Sequence, residues 1–217
     1  MTLATELHAA QTARWPQTGR HILAQRGELK GQPTIVVYQA YRPAIADYAV
    51  QHGHFGGPYS FSRMSWVKPN FLWMMYRCGW ATKSDQERVL ALTVTCARFD
   101  GWLGDAVPSA VTASSLSKDA WHAAVAASNV RLQWDPDHAP DGRPLARRAV
   151  QLGLRGRALA DFGRPPDEGG ALLRVEDITG FVHQQRENLS QPELLLTPRE
   201  EVYQPADEEL VARLGLD

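Results

Sequence analysis

The clearest two-residue alternation in the chain is PTIVVYQAY (Pro33–Tyr41), a run of β-branched and aromatic residues opened by a Gly-Gln-Pro turn. That pattern predicts a strand with Val36 and Tyr38 on one face and Val37 and Gln39 on the other. The spacing then becomes helical. RPAIADYAVQHG carries Pro43 in its first turn and Gly53 just past its end, with Ile45, Tyr48 and Ala49 on a shared face. HFGGPYSFSR reads as a loop by its glycines and proline. In KPNFLWMMYRCGWATK, Phe71, Met74, Met75 and Cys78 recur at i, i+3, i+4, i+7. This predicts a helix started by Pro69 and stopped at Gly79, with Trp73, Arg77 and Trp80 on a second face.

Further along, ERVLALTVTCARF predicts a strand from Arg88 to about Ala97, and SKDAWHAAVAAS a helix capped by Ser117. NVRLQWD is a third strand ending in the polar turn PDHAPDGRP. LARRAVQLGL is a fourth, with Ala149, Gln151 and Gly153 on one face. A short helix (GRALADFG), a fifth strand (LLRVEDI) and a helix (DITGFVHQQRENL) follow. Strands and helices do not alternate cleanly, so the expected class is α+β: a single domain with a mixed, mainly antiparallel sheet flanked by helices. The expected boundaries are an N-terminal extension (1–19), the domain (20–192) and an acidic extension (193–217) with a short terminal helix. That last segment holds seven acids against two arginines.

Composition narrows the function. With 217 residues and 44% hydrophobic content the chain can bury a sizeable core, and a net charge of -1 supplies no global field for nucleic acid. Two cysteines, Cys78 and Cys96, without CxxC or a Cys/His cluster, read as free thiols in a reducing compartment, and no metal site is expected. His52 and His54 sit in a Gly-rich loop. The first residues contain Glu6 and no long apolar stretch, and no run approaches the roughly 20 apolar residues of a membrane span. A cytoplasmic protein without a membrane partner is expected.

The chemistry concentrates where the acids are missing. From Tyr48 to Ser84 there is no Asp or Glu, yet Arg63, Lys68, Arg77 and Lys83 lie there among tryptophans, with Ser60, Ser62 and Ser65 as hydroxyl donors. Arginine forks and a lysine point charge suit phosphate, and aromatic faces suit a base. Arg63, Ser65 and Lys68 lead into a helix N-terminus, whose free N–H groups would also favour an anion. A second basic stretch, Arg143, Arg147, Arg148, Arg155 and Arg157, is expected to join the same ligand. The competing explanation is a core helix with ordinary solvated cations. There is no GxxxxGK[ST], GxGxxG or GxSxG. Asp135 in QWDPDH is a candidate base or arginine partner, set against an Asx turn at Asp135-Pro136. Glu87 and Glu176 are further candidate carboxylates. Cys78 is expected to be buried rather than nucleophilic.

The strings VYQAYRPAIADYA, RMSWVKPNFLWMMYRCGWATK, QERVLALTV, LQWDPDH, RRAVQLGLRG and VEDITGFV resemble the bacterial and fungal family known as domain of unknown function 4291, over roughly residues 20–205. The resemblance marks Tyr38, Arg63, Trp66, Lys68, Trp73, Tyr76, Arg77, Gly79, Trp80, Gln133, Asp135 and Gln151 as signature positions, with Cys78 standing where a serine is expected. A strand-borne tyrosine, a Ser/Arg-rich segment before a helix and a late glutamate are also similar, distantly, to the ADP-ribosyltransferase superfamily. That likeness implies NAD as the bound dinucleotide, held by Tyr38 or Arg63, with Glu176 facing the oxocarbenium charge. The expectation is therefore an enzyme acting on a nucleotide or nucleic acid. Tyr38, Asp135 and Glu176 are its catalytic candidates; Arg63, Ser65, Trp66, Lys68, Arg77, Gln133 and Gln151 are its phosphate- and nucleotide-binding candidates. The alternative is a non-catalytic RNA- or nucleotide-binding module, and a third possibility is a scaffold that docks a protein through its aromatic patch.

Overall fold

A computed structural model describes residues 3–217. Its strands are β1 (Thr5–Leu7), β2 (Ile22–Ala24), β3 (Arg26–Leu29), β4 (Gln32–Tyr41), β5 (Ser65–Val67), β6 (Arg88–Thr95), β7 (Ala106–Pro108), β8 (Val130–His138), β9 (Pro144–Leu154), β10 (Arg174–Asp177), β11 (Leu196–Pro198) and β12 (Glu201–Tyr203). Its helices are α1 (His8–Thr12), α2 (Pro43–His52), α3 (Phe71–Cys78), α4 (Cys96–Asp105), α5 (Lys118–Ala127), α6 (Gly156–Gly163), α7 (Thr179–Glu187) and α8 (Glu208–Leu214).

Two four-stranded sheets carry the architecture, one ordered β10-β6-β4-β3 and the other β5-β9-β8-β7. Every pairing in them is antiparallel except β7 with β8. The class is α+β, a single domain with mainly antiparallel sheets flanked by helices, as the element pattern predicts. Short ladders β1–β11 and β12–β2 bring the two ends of the chain together.

β4 is buried on both faces. Ile35 and Val37 enter a core shared with Leu90, Leu92, Leu152, Phe99 and Phe162. Tyr38, on the other face, enters a second core under α3, with Phe71, Met75, Cys78 and Val182. Burying apolar area at about 25 cal/mol per Å² favours this three-layer packing, in which a strand that reads as apolar throughout becomes central.

The helix boundaries follow local chemistry. At the start of α3 the Asn70 side chain accepts a hydrogen bond from the Trp73 N–H at 2.7 Å, and Gly79 ends the helix at φ 59°. The strand expected to reach Ala97 stops at Thr95 instead. The Thr95 hydroxyl accepts from the Arg98 N–H at 3.1 Å and starts α4, whose Phe99, Trp102 and Leu103 are buried. The cap and the i, i+3, i+4 spacing were present in the sequence, but the β-branched run before them masked the switch. β8 likewise runs on through Pro136 to His138, so Asp135 lies inside a strand rather than in an Asx turn. Residues 193–217 supply β11, β12 and α8, and Tyr203, Leu210 and Leu214 lie in the core. Among the described residues, no helix is long and apolar enough to cross a membrane.

Candidate functional site

The two sheets meet at one backbone bridge and then diverge. Tyr38 N–H donates to the Lys68 carbonyl at 2.7 Å, and Lys68 N–H to the Tyr38 carbonyl at 3.3 Å. One residue further along β4, side chains replace the ladder. Gln39 Nε2 donates to Ser65 Oγ at 2.8 Å and to the Trp66 carbonyl at 3.0 Å, and the Tyr41 hydroxyl pairs with Ser65 Oγ at 2.9 Å. A cleft of about 860 Å³ opens at this fork. Lys68 and Met74 lie at it from one side, Gln133 and Gln151 from the second sheet, and Arg42, Arg63 and Arg77 at its walls.

Close packing sets the loop that carries Arg63 and the strand that carries Trp66. Gly56 lies so near the Tyr48 ring that a Cβ there would sit 2.7 Å from it, and the Phe55 ring stacks on Tyr59 at 4.5 Å. Trp66 and Met64 cover Gly153 on β9, where a Cβ would be 3.1 Å from the Trp66 ring. Both glycines hold their places through lack of a side chain.

The cleft is rich in cations with little to pair them. Lys68 is only 4% exposed, and its Nζ makes a single long contact, 3.5 Å to the Trp66 carbonyl. Burial, and then the neighbouring Arg77, lower its pKa to about 7; the charge of Asp135 opposes that fall. Among the described residues Arg42 and Arg63 form no ion pair, and Arg77 donates only to the Gln86 amide oxygen, at 3.2 Å. Asp85 lies at the rim.

Behind Gln133 and Gln151 sits Asp135. Strand alternation turns Val130 and Leu132 into the core and Gln133 and Asp135 to the other face. Gln133 lies directly opposite Gln151 across the β8–β9 ladder. Gln133 Nε2 donates to Asp135 Oδ1 and Gln151 Nε2 to Asp135 Oδ2, each at 2.8 Å.

The fork thus brings together Arg63, Ser65, Trp66, Lys68, Arg77, Gln133 and Gln151, with Asp135 behind the glutamines. Two of the expected catalytic residues lie elsewhere. Tyr38 is fully buried on the opposite face of β4, edge-on to Phe71 at 5.5 Å, with its hydroxyl unpartnered among the described residues and its pKa raised well above the usual tyrosine range by burial. Glu176 is on β10 at a small hollow beside Arg174 and Thr93, and burial raises its pKa.

The α3 N-terminus is not open to a ligand, contrary to the sequence expectation. The buried carboxyl of Glu200 accepts from the Phe71 N–H at 2.6 Å and from Asn70 Nδ2 at 3.2 Å. The second basic stretch also stays away. Arg147 is paired with Asp137, Arg155 donates to backbone carbonyls of Val125, Ala126 and Ser128, and Arg157 borders a separate hollow with Asp105 and Asp161. Cys78 is buried and its pKa is raised by desolvation, as expected of a packing residue. Arg42, Gln39, Tyr41 and Glu200 were not singled out from sequence. Arg42 was signalled by its place at the end of a strong strand and just before the α2 proline; the others carried no signal beyond residue type.

A family model described as "Domain of unknown function (DUF4291)" matches residues 21–203. No curated protein matches the chain.

Proposed function

The chain belongs to the DUF4291 family, and for this member we propose an enzyme that acts on a nucleotide or nucleic-acid substrate held by its phosphates in the cleft. The observation that carries this reading is Lys68. Among the described residues Lys68 has no ion-pair partner, so burial disfavours its charged form, and a bound anion is the group that would restore and stabilise that charge. Arg42, Arg63 and Arg77 around it offer the planar donors that match phosphate oxygens. A volume of about 860 Å³ admits a dinucleotide. Trp66 and Tyr41 border the space a base or sugar would occupy. Asp135, held behind Gln133 and Gln151, remains the candidate base of this reading, acting at the cleft beside the two amides it fixes. In its most specific form the reaction is ADP-ribosyl transfer from NAD: the bond between ribose and nicotinamide breaks, and an acceptor nucleophile attaches to the same ribose carbon.

The test is a thermal-shift screen of NAD, ATP, GTP, other nucleotides and short RNA, with Arg63→Ala and Lys68→Ala in parallel. A ligand at about 100 times its dissociation constant stabilises by roughly 2.7 kcal/mol, several degrees in the melt. A shift with a nucleotide that both variants lose supports the reading. No shift with any nucleotide in wild type overturns it. Binding of RNA alone, with a steep salt dependence and no turnover, would favour a non-catalytic RNA-binding module instead.

A further inference from the structure

The polar group behind the cleft makes a narrower statement about the substrate. A carboxylate only accepts hydrogen bonds, so both amides that meet Asp135 must present nitrogen to it, as they do at 2.8 Å. Their carbonyl oxygens are thereby fixed as what the two side chains offer elsewhere. Gln133 Oε1 has one contact at the limit of hydrogen bonding, Ser109 Oγ at 3.5 Å, and Gln151 Oε1 has none among the described residues. Gln133 and Gln151 both line the cleft and lie opposite each other across the ladder, so their carbonyl oxygens are a neighbouring pair of acceptors whose orientation Asp135 holds.

An acceptor pair backed by a negative charge repels phosphate and attracts hydroxyl donors. Lys68, the deepest cation, borders the same cleft. In a nucleotide the group next to the phosphate is the sugar, and a ribose carries two neighbouring hydroxyls. We infer that Gln133 and Gln151, locked by Asp135, accept hydrogen bonds from the ribose hydroxyls and so select ribonucleotides over deoxyribonucleotides. The inference rests on the nucleotide reading of the cleft. In it Asp135 is a positioning residue for specificity, whatever further part it takes in the chemistry. A 2′-deoxy sugar leaves one acceptor unpaired inside the site, and that loss corresponds to a preference of about tenfold or more.

Isothermal titration of the four ribonucleoside diphosphates and their 2′-deoxy counterparts tests this, on wild type, Asp135→Asn, Gln133→Leu and Gln151→Leu, each checked for an unaltered melt. The expected result is a ribonucleotide preference of at least about tenfold in wild type. In Asp135→Asn that preference collapses while the 2′-deoxy compound keeps its affinity, because asparagine presents one N–H2 in place of one carboxylate oxygen, so one of the two amides turns and offers a donor where the pair offered an acceptor. Equal affinity for the two sugars in wild type, or variants that weaken both sugars by the same factor, overturns the inference and leaves the nucleotide reading standing. Discrimination among bases but not sugars overturns it in favour of a base edge on the glutamines. No binding by any diphosphate overturns the inference, and the nucleotide reading is then decided by the thermal-shift screen with NAD and the triphosphates.

Discussion

The β8–β9 ladder carries two aspartates two residues apart, and the fold treats them in opposite ways. Asp137 is 1% exposed and receives Arg147, itself nearly as buried, through Nε at 2.8 Å and through Nη2. Arg147 also donates to the Pro16 carbonyl and lies 5.3 Å over the Trp15 ring. The Asp137 carboxylate and the Arg147 guanidinium both find their partners within the chain. Asp135 receives two neutral amides, and the buried cation nearest in kind, Lys68, has a single 3.5 Å contact. A buried pair that is complete serves the fold, while a buried cation left incomplete lowers stability unless a ligand completes it. This difference, rather than the number of cations in the sequence, separates the two basic stretches.

The contrast can be broken most forcefully at the complete end. Asp137→Ala strands the Arg147 guanidinium in the interior and is expected to destabilise by about 3–5 kcal/mol in chemical denaturation. Asp135→Ala leaves only half-buried amides unpaired, and its loss is expected to be less than half as large. Equal losses would show that both ends are structural. Next in size is Lys68→Met. Removing an unpaired buried ammonium is expected to leave the free protein at least as stable as wild type while abolishing the nucleotide-induced shift in the melt. A large drop in stability would make Lys68 a structural cation after all.

Acidity sharpens the same point. The folded pKa of Lys68 is about 7, below the ordinary 10.5. Between those values the unfolded chain holds the proton and the folded chain does not, so this group makes stability rise with pH from about 7 to about 10.5, by up to about 1.4 kcal/mol per unit. The stability difference between wild type and Lys68→Met, followed over that window, isolates it. Phosphate binding has the opposite trend. Affinity is expected to weaken as pH rises above about 7 and the ammonium is lost, and an affinity flat to pH 9 would exclude Lys68 from the phosphate site. The smallest stability effect is expected for Arg63→Ala, an exposed residue without an ion pair among the described residues: within about 0.5 kcal/mol in the unliganded protein, against a clear loss of nucleotide affinity.

How much of this was legible in the sequence varies by element. The end of α3 was written in Gly79, though its start, expected at Pro69, lies at the Asn70 cap; the ends of α2 were written in Pro43 and Gly53 and the cap of α5 in Ser117, because caps and left-handed turns depend on residues only a few positions apart. The acid-free stretch around Arg63, Lys68 and Arg77 also showed where a set of cations would gather without local counter-charge. The short strands β1, β2, β5, β7, β11 and β12 were not legible, since runs of three residues carry no period of their own and exist only because a partner strand lies beside them.

Tyr38 and Glu200 mark the limit from two sides. The sequence determined that Tyr38 lies in a strand with Val36 on its face, but both faces of β4 are buried, so alternation could not say which one meets the cleft. Packing under α3 decided it. The sequence placed Glu200 in an acidic tail, and only the folding-back of β11 and β12 set its carboxyl on the first N–H of α3, 129 residues away. Helix caps, turns and charge runs are local and can be read along the chain. The fork between the sheets, the Gln133–Asp135–Gln151 group and the filling of the helix terminus are contacts between distant segments, fixed by burial and by the demand that buried polar groups find partners.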